Sequence, residues 1–123
     1  MIVGVDMIEI PRIKNSMIRK NFIKKVFSDL EIKDLEIRKF NPQSVAAGFC
    51  AKEAFLKAVG LGILGIKLHE VQLLHNEVGQ PYIVLEGNLK EKFKSSEWQF
   101  SVSLTHTKHY ACAVVIGCNE GKR

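Results

Sequence analysis

The sequence is poor in the residues that mark specialised classes of protein. Three prolines and nine glycines in 123 residues exclude collagenous and low-complexity chains. No apolar run approaches the ~18 to 20 residues of a membrane span. Asp6 and Glu9 stand where a secretory leader would carry basic and then unbroken apolar residues, so the expectation is a protein that neither spans a membrane nor is secreted. The three cysteines, Cys50, Cys112 and Cys118, are odd in number, far apart and without a Cys-x-x-Cys pair. They are expected as reduced, mostly buried thiols rather than as a disulfide framework or a zinc site. Acidic residues are scarce as well, 13 against 18 basic ones, for a net charge of +5. That balance favours an anionic partner and leaves open nucleic acid, a phosphorylated ligand and an acidic protein.

What remains is the composition of an ordinary globular domain, 46% hydrophobic and 25% charged, long enough to bury roughly two thirds of its unfolded surface. Met1 to Ile10 is nearly all apolar and β-branched and predicts a buried strand ending before Pro11, which suits the first turn of a helix. Alternation along that strand puts Asp6 on the same face as Ile2, Ile8 and Ile10. A carboxylate among hydrocarbon needs a cation or a donor, whether by capping a loop, by pairing with a lysine or by binding a ligand. From Arg12 to Phe27 there are six basic residues and no acidic one, on a helix that the apolar pattern predicts to break near Asn21. Ser28 with Glu31 is a capping box that opens an exposed helix over residues 29 to 39.

Asn41-Pro42 predicts the start of a helix that runs to Gly60, a residue placed to end it. Between Val45 and Val59 this helix is apolar or small at almost every position and is therefore buried on most sides. Its charges are Lys52, Glu53 and Lys57. Glu53 and Lys57 share a face, as a structural pair or as part of a ligand or metal site. The run Gly60-Leu-Gly-Ile-Leu-Gly65 has the spacing of a dinucleotide fingerprint but follows a helix instead of a strand, so it reads as a helix stop and an apolar loop. Strands are predicted over 68–74, 82–85, 98–105 and 110–116, the last a central one, with a short helix from Asn88 to about Phe93 opened by Asn88 and Glu91. In the turn after residue 104, His106 and His109 do not converge with Cys112 as zinc ligands would. Thr105, His106 and Lys108 fit an anion better.

The expected fold is therefore α+β, a small single domain over residues 1–123 with an antiparallel sheet packed against a long buried helix. Its two misplaced carboxylates, Asp6 and Glu53, suit Mg²⁺, which keeps waters and binds through one or two carboxylates plus substrate phosphates. The motifs carry a resemblance over essentially the whole chain. Gly4, Asp6, Glu9 and Arg12 form Gly-x-Asp-x-x-Glu-x-x-Arg. Phe49, Lys52, Glu53, Lys57 and Gly60 form Phe-x-x-Lys-Glu-x-x-x-Lys-x-x-Gly. Gly79 and Pro81 form a Gly-x-Pro turn, and Ser103, Thr105 and His106 form Ser-x-Thr-His. In these four motifs, in this order, the sequence closely resembles the holo-[acyl-carrier-protein] synthases, the small bacterial class of 4′-phosphopantetheinyl transferases.

The resemblance implies transfer of the phosphopantetheine arm of coenzyme A to a serine of apo-acyl carrier protein, releasing adenosine 3′,5′-bisphosphate, with Mg²⁺ required, in fatty acid biosynthesis. It makes Asp6 and Glu53 metal ligands, and with Lys57 the catalytic set. It sets Lys57 and His106 against coenzyme A phosphates, with Gly60, Ser103 and Thr105 lining the same pocket. It makes Arg12 a contact for acidic carrier protein, and implies a cytoplasmic homotrimer with active sites between subunits. The general base stays open between Glu53 and a group on the carrier. Gly48 stands where many relatives have an arginine, Leu56 where serine is frequent and Leu61 where threonine is frequent. The competing reading, a basic nucleic-acid-binding module, rests only on residues 12 to 25 and lacks an aromatic-basic strand pattern or helix-turn-helix spacing.

Overall fold

The structure is a computed structural model that describes residues 1–62 and 65–119. The first strand, β1 (Ile2–Glu9), leads directly into α1 (Ile10–Met17), which carries Pro11 in its first turn. Asn21 takes a left-handed φ of 67° and separates α1 from α2 (Phe22–Val26), so the expected break falls at that residue. Ser28 and Glu31 complete their capping box on α3 (Asp29–Ile37). The Asn41 side chain accepts from the Ser44 amide to open α4 (Pro42–Val59), and Gly60 closes it at φ 75°. After a 3-10 turn at Leu68–Glu70 come β2 (Val71–His75), β3 (Pro81–Leu85), α5 (Gly87–Phe93), β4 (Trp98–His106) and β5 (Tyr110–Asn119).

Two elements differ from expectation for one shared reason. Residues 68 to 70 form a 3-10 turn instead of the start of a strand. The Leu68 and Val71 carbonyls accept from Lys52 Nζ, and Glu70 turns inward, where its carboxylate accepts from the Asn88 and Leu89 amides. That carboxylate caps α5, which begins at Gly87 without a side-chain cap from its own N-cap residue and without the Asn88 and Glu91 box. A capping carboxylate 18 residues away in the chain leaves no local sequence mark.

Strand β5 lies between β1 and β4 in a three-stranded antiparallel sheet, central as its composition predicts; β2 and β3 form a separate hairpin. The register puts Asp6 opposite Ala113, which in turn faces Leu104. Helix α4 packs against β1 and β5, and its Val45, Ala46, Cys50, Ala54 and Phe55 are fully enclosed in a core shared with Ala111, Ala113 and Val115. Gly4 makes this approach possible, because any Cβ there would overlap the α4 backbone at Ala54 and Ala58. The α+β architecture is as expected. The opposite face of the sheet is uncovered and apolar, with Val3, Val5 and Met7 of β1 each more than half exposed beside Tyr110 and Ile116 of β5.

Candidate active site

The contact at Gly4 sets the position of Asp6 two residues further along the same face of β1, over the C-terminal half of α4. Lys57, on the exposed side of that half, places Nζ 3.1 Å from Asp6 Oδ1 and 3.1 Å from the Val5 carbonyl. The misplaced carboxylate of β1 thus has its cation, and Lys57 has chosen Asp6 over Glu53, its neighbour at i−4. Glu53 forms no ion pair among the described residues. Partial burial pushes its carboxyl above the ordinary 4.5, the negative charge of Asp6 pushes it further, and Lys57 offsets part of the rise.

Two carboxylates in one place, with a lysine that forms an ion pair with only one of them, make a site lacking positive charge. Their hard oxygen donors fit Mg²⁺, which takes the rest of its coordination from water and substrate phosphates. Among the described residues no three His, Cys, Asp or Glu side chains cluster as a closed metal cage. An open pair suits a metal that must also meet a substrate. Gly60 caps the same helix three residues beyond Lys57, so its left-handed turn ends α4 at this site.

Lys52 stands next to Glu53 in the sequence and points the other way. It is fully enclosed, with Nζ 2.6 Å from Glu31 Oε1 and further bonds to the Leu68 and Val71 carbonyls, and it lies 5.1 Å from the Phe27 ring centroid. Burial pulls its ammonium down to about 8 against the opposing pull of Glu31. Glu31, itself buried, also accepts from the Ser28 and Leu73 amides. This pair ties α3, α4 and the start of β2 together. Sequence reading assigned Lys52 to a motif and did not place it; its only signal was a charge on a helix face flanked by Phe49 and Leu56.

Ser103 and Thr105 sit one residue either side of Leu104, so their side chains leave the sheet on the face opposite Asp6. His106 is exposed at the end of β4, its Nδ1 3.2 Å from the Thr107 carbonyl. Thr105 and His106 line a cleft of about 560 Å³ with Arg38, Ser44 and Gly48, and none of Asp6, Glu53, Lys57 or Ser103 borders it. Within one chain the structure therefore brings Asp6, Glu53, Lys57 and Gly60 together and holds Thr105 and His106 apart from them. At Gly48 a Cβ would stand 2.8 Å from the Phe27 ring, so the glycine goes with that ring's position in the cleft wall. Leu56 points into the core and Leu61 packs against it. Arg12 is exposed on α1.

Comparison with known proteins places the chain in a family. The family model described as the 4′-phosphopantetheinyl transferase superfamily matches residues 2–115, and the chain belongs to that superfamily. Within it, the holo-[acyl-carrier-protein] synthase of Clostridium tetani is 38% identical over 116 residues, 93% of this chain and 92% of that protein. The ACPS-CoA complex of Chronobacterium ammoniagenes is similar in structure with a TM-score of 0.87 at 25% identity, covering 97% of each chain. The Helicobacter pylori holo-[acyl-carrier-protein] synthase in complex with coenzyme A gives 0.82 at 28% identity, over 94% of this chain and 99% of that one.

Proposed function

We propose that this chain is a holo-[acyl-carrier-protein] synthase that moves the 4′-phosphopantetheine arm of coenzyme A to a serine of apo-acyl carrier protein, depends on Mg²⁺ and works as a cytoplasmic homotrimer in fatty acid biosynthesis. The transfer itself accords with relatives named for that activity, one of them 38% identical, and with neighbours described in complex with coenzyme A. The observation that carries the reading to particular residues is the convergence of Asp6, Glu53 and Lys57 where β1 crosses α4.

In that reading the serine oxygen attacks the β-phosphorus of the coenzyme pyrophosphate in line with the departing phosphate, and negative charge grows on the bridging and outer oxygens. Asp6 and Glu53 hold the Mg²⁺, which when bound supplies Lewis-acid stabilisation of that charge. Lys57 keeps its ammonium at the mouth of the site, more than half exposed, where it can pair with phosphate while still tethered to the Val5 carbonyl. Gly60 leaves the backbone open at the end of α4. Thr105 and His106 offer a hydroxyl and an imidazole to phosphate oxygens from the second cleft.

Because that cleft and the carboxylate pair are apart in one chain, a complete site needs two chains. The apolar outer face of the sheet, with Val3, Val5, Met7, Tyr110 and Ile116 exposed, supports an assembly that covers it and sets one chain's cleft beside the next chain's carboxylates. Arg12 lies on the acid-free stretch of residues 12 to 27 and serves as a contact for the acidic carrier. No helix among the described residues is long and apolar enough to cross a membrane.

The test is the intact mass of apo-acyl carrier protein after incubation with this protein, coenzyme A and Mg²⁺. A gain of one phosphopantetheine arm that disappears with EDTA is the expected result. No gain on a competent carrier overturns the transfer reading, and a gain unaffected by EDTA overturns the metal requirement.

A further inference from the structure

The cleft of about 560 Å³ that Thr105 and His106 border has a single lysine or arginine among its lining residues, Arg38. Helix α4 brings only Gly48 to that point, a position where arginine is frequent among relatives, so the permanent positive charge comes from the C-cap of α3 instead. Two acids stand in the same wall, and both are already answered from within the chain. Glu31 meets Lys52 at 2.6 Å and accepts from the Ser28 and Leu73 amides. Asp34 Oδ2 accepts from Arg38 Nε at 3.0 Å, and His75 Nδ1 lies 3.4 Å from the same oxygen. Burial, and then the charge of Arg38, hold the His75 imidazole below its ordinary 6.5, so Arg38 is the cation that answers Asp34 at neutral pH.

The way Arg38 is held leaves its outer edge open. Asp34 engages Nε, and among the described residues the two terminal guanidinium nitrogens have no hydrogen-bond partner. A guanidinium fixed at Nε presents those two nitrogens as a planar fork, the geometry that pairs with phosphate. The backbone is fixed as well. The Arg38 carbonyl accepts from both the amide and the side-chain Nδ2 of Asn41, and between these residues Lys39 and Phe40 take left-handed φ values of 56° and 50°. Two consecutive non-glycine residues in that region carry a conformational cost, and an i to i+4 pair that served the helix alone would need no such turn. Leu35, Leu73 and Leu104 give the rest of the cleft an apolar wall suited to a flat heterocycle.

Adenosine 3′,5′-bisphosphate, the leaving product of the proposed transfer, carries a phosphomonoester remote from the reacting pyrophosphate. We propose that Arg38 is the specificity-determining residue for that group: its terminal nitrogens take the 3′-phosphate of coenzyme A while Asp34 holds the guanidinium from behind, and Thr105 and His106 contribute from β4. The inference rests on the transfer reading above and adds to it a residue of α3 that distinguishes coenzyme A from its 3′-dephospho form. A contact so far from the reacting phosphorus is made equally in the ground state and the transition state, so it acts on KM and leaves kcat alone.

The test compares the wild-type protein with Arg38→Gln and Arg38→Lys. Arg38 is exposed, and circular dichroism confirms that each variant is folded. Initial rates are measured with coenzyme A and with 3′-dephospho-coenzyme A, and binding of adenosine 3′,5′-bisphosphate and of adenosine 5′-monophosphate is measured by calorimetry without carrier. The expected result for Arg38→Gln is a coenzyme A KM raised about tenfold or more, to the value for the dephospho form, with kcat and the dephospho KM near those of the wild type. Arg38→Lys, which keeps the charge and loses the fork, is expected to fall between the two. A KM raised equally for both substrates overturns the proposal and makes the arginine structural, and unchanged kinetics with coenzyme A also overturns it. If the wild-type protein modifies no carrier, the transfer reading fails and calorimetry still decides the site. Tighter binding of the bisphosphate than of the monophosphate, lost in Arg38→Gln, supports it, and a preference that survives the substitution overturns it.

Discussion

The Lys57 ammonium bridges the Val5 carbonyl and the Asp6 carboxylate, each at 3.1 Å, and so leaves Glu53, its neighbour on α4, without a cation among the described residues. This asymmetry gives the two carboxylates separable behaviour. Glu53→Gln removes a charge that burial and Asp6 already oppose, so the metal-free protein is expected to melt at the same temperature or slightly higher. Mg²⁺ is expected to raise the Tm of the wild-type protein and to leave Glu53→Gln and Asp6→Ala unmoved, while both variants lose metal-dependent transfer. Differential scanning fluorimetry with and without Mg²⁺ checks this, and a variant that keeps the thermal response removes that residue from the metal site. Lys57→Ala is expected to raise the coenzyme A KM or lower kcat; unchanged kinetics would make the lysine structural.

Lys52 and Glu31 predict a different pattern, because both are enclosed and Lys52 is turned away from the carboxylate pair. Breaking a buried pair by removing one partner strands the other charge and costs about 3 to 5 kcal/mol. Lys52→Met is therefore expected to lower Tm by about 10 to 20 °C in a chain of this size. Lys52→Met with Glu31→Gln is expected to be less destabilised than the sum of the two single changes, since neither charge is then left alone. At a temperature where Lys52→Met is folded, its kcat stays near that of the wild type. A large loss of kcat in the folded variant would show that Lys52 reaches the reaction despite its burial.

Much of this was legible in the sequence, for reasons that particular residues make plain. Period two along β1 aimed Asp6 inward, Asn41-Pro42 and Gly60 bounded α4, and Ser28 with Glu31 marked the start of α3, because strand alternation and helix caps are local rules. The partner of Lys57 was not legible in the same way. Helical spacing shows that Glu53 and Lys57 share a face, but not that Gly4 lets β1 cross close enough for Asp6 to take the lysine. The 3-10 turn and the α5 cap were hidden likewise, since Lys52 and Glu70 act across long gaps in the chain. Ser103 and Thr105 could be assigned to the face opposite Asp6 only once β5 fixed the register between the outer strands.

Cys50 supplies a pH-dependent prediction. Its thiol is fully enclosed with Sγ 3.5 Å from the Ala111 carbonyl, and burial first, then the negative charge of Asp6, pushes it from 9.0 up to about 12. In the native protein at about pH 8.5 it is expected to resist iodoacetamide and to react once denaturant unfolds the chain. The unfolded thiol ionises first, so between pH 9 and about 12 the native state holds more protons and stability falls as pH rises. By pH 10 this contribution amounts to about 1.4 kcal/mol. Lys52 acts with the opposite sign from about pH 8 to its ordinary 10.5, because its folded value is lowered. The Cys50 contribution is therefore read as a difference: urea midpoints at pH 8 and pH 10 should fall more steeply for the wild type than for Cys50→Ala. Equal slopes would show that the thiol ionises as easily inside as out.

The uncovered sheet face carries the last prediction. Val5 is 55% and Met7 64% exposed, on a strand whose other face is committed to α4, so a charge placed at either position enters solvent in a lone chain. The same charge would be driven into apolar surroundings if three chains cover the face, at a cost that few interfaces tolerate. Val5→Glu is thus expected to leave a folded protein by circular dichroism while shifting the mass measured by light scattering from three times the 13.9 kDa of one chain to that of the single chain. Transfer activity should fall with the trimer, because Thr105 and His106 line a cleft that Asp6 and Glu53 do not border in one chain. Raising the protein concentration should restore part of both the mass and the activity. A wild-type protein that is monomeric and fully active would instead require both halves of the site to close within one chain.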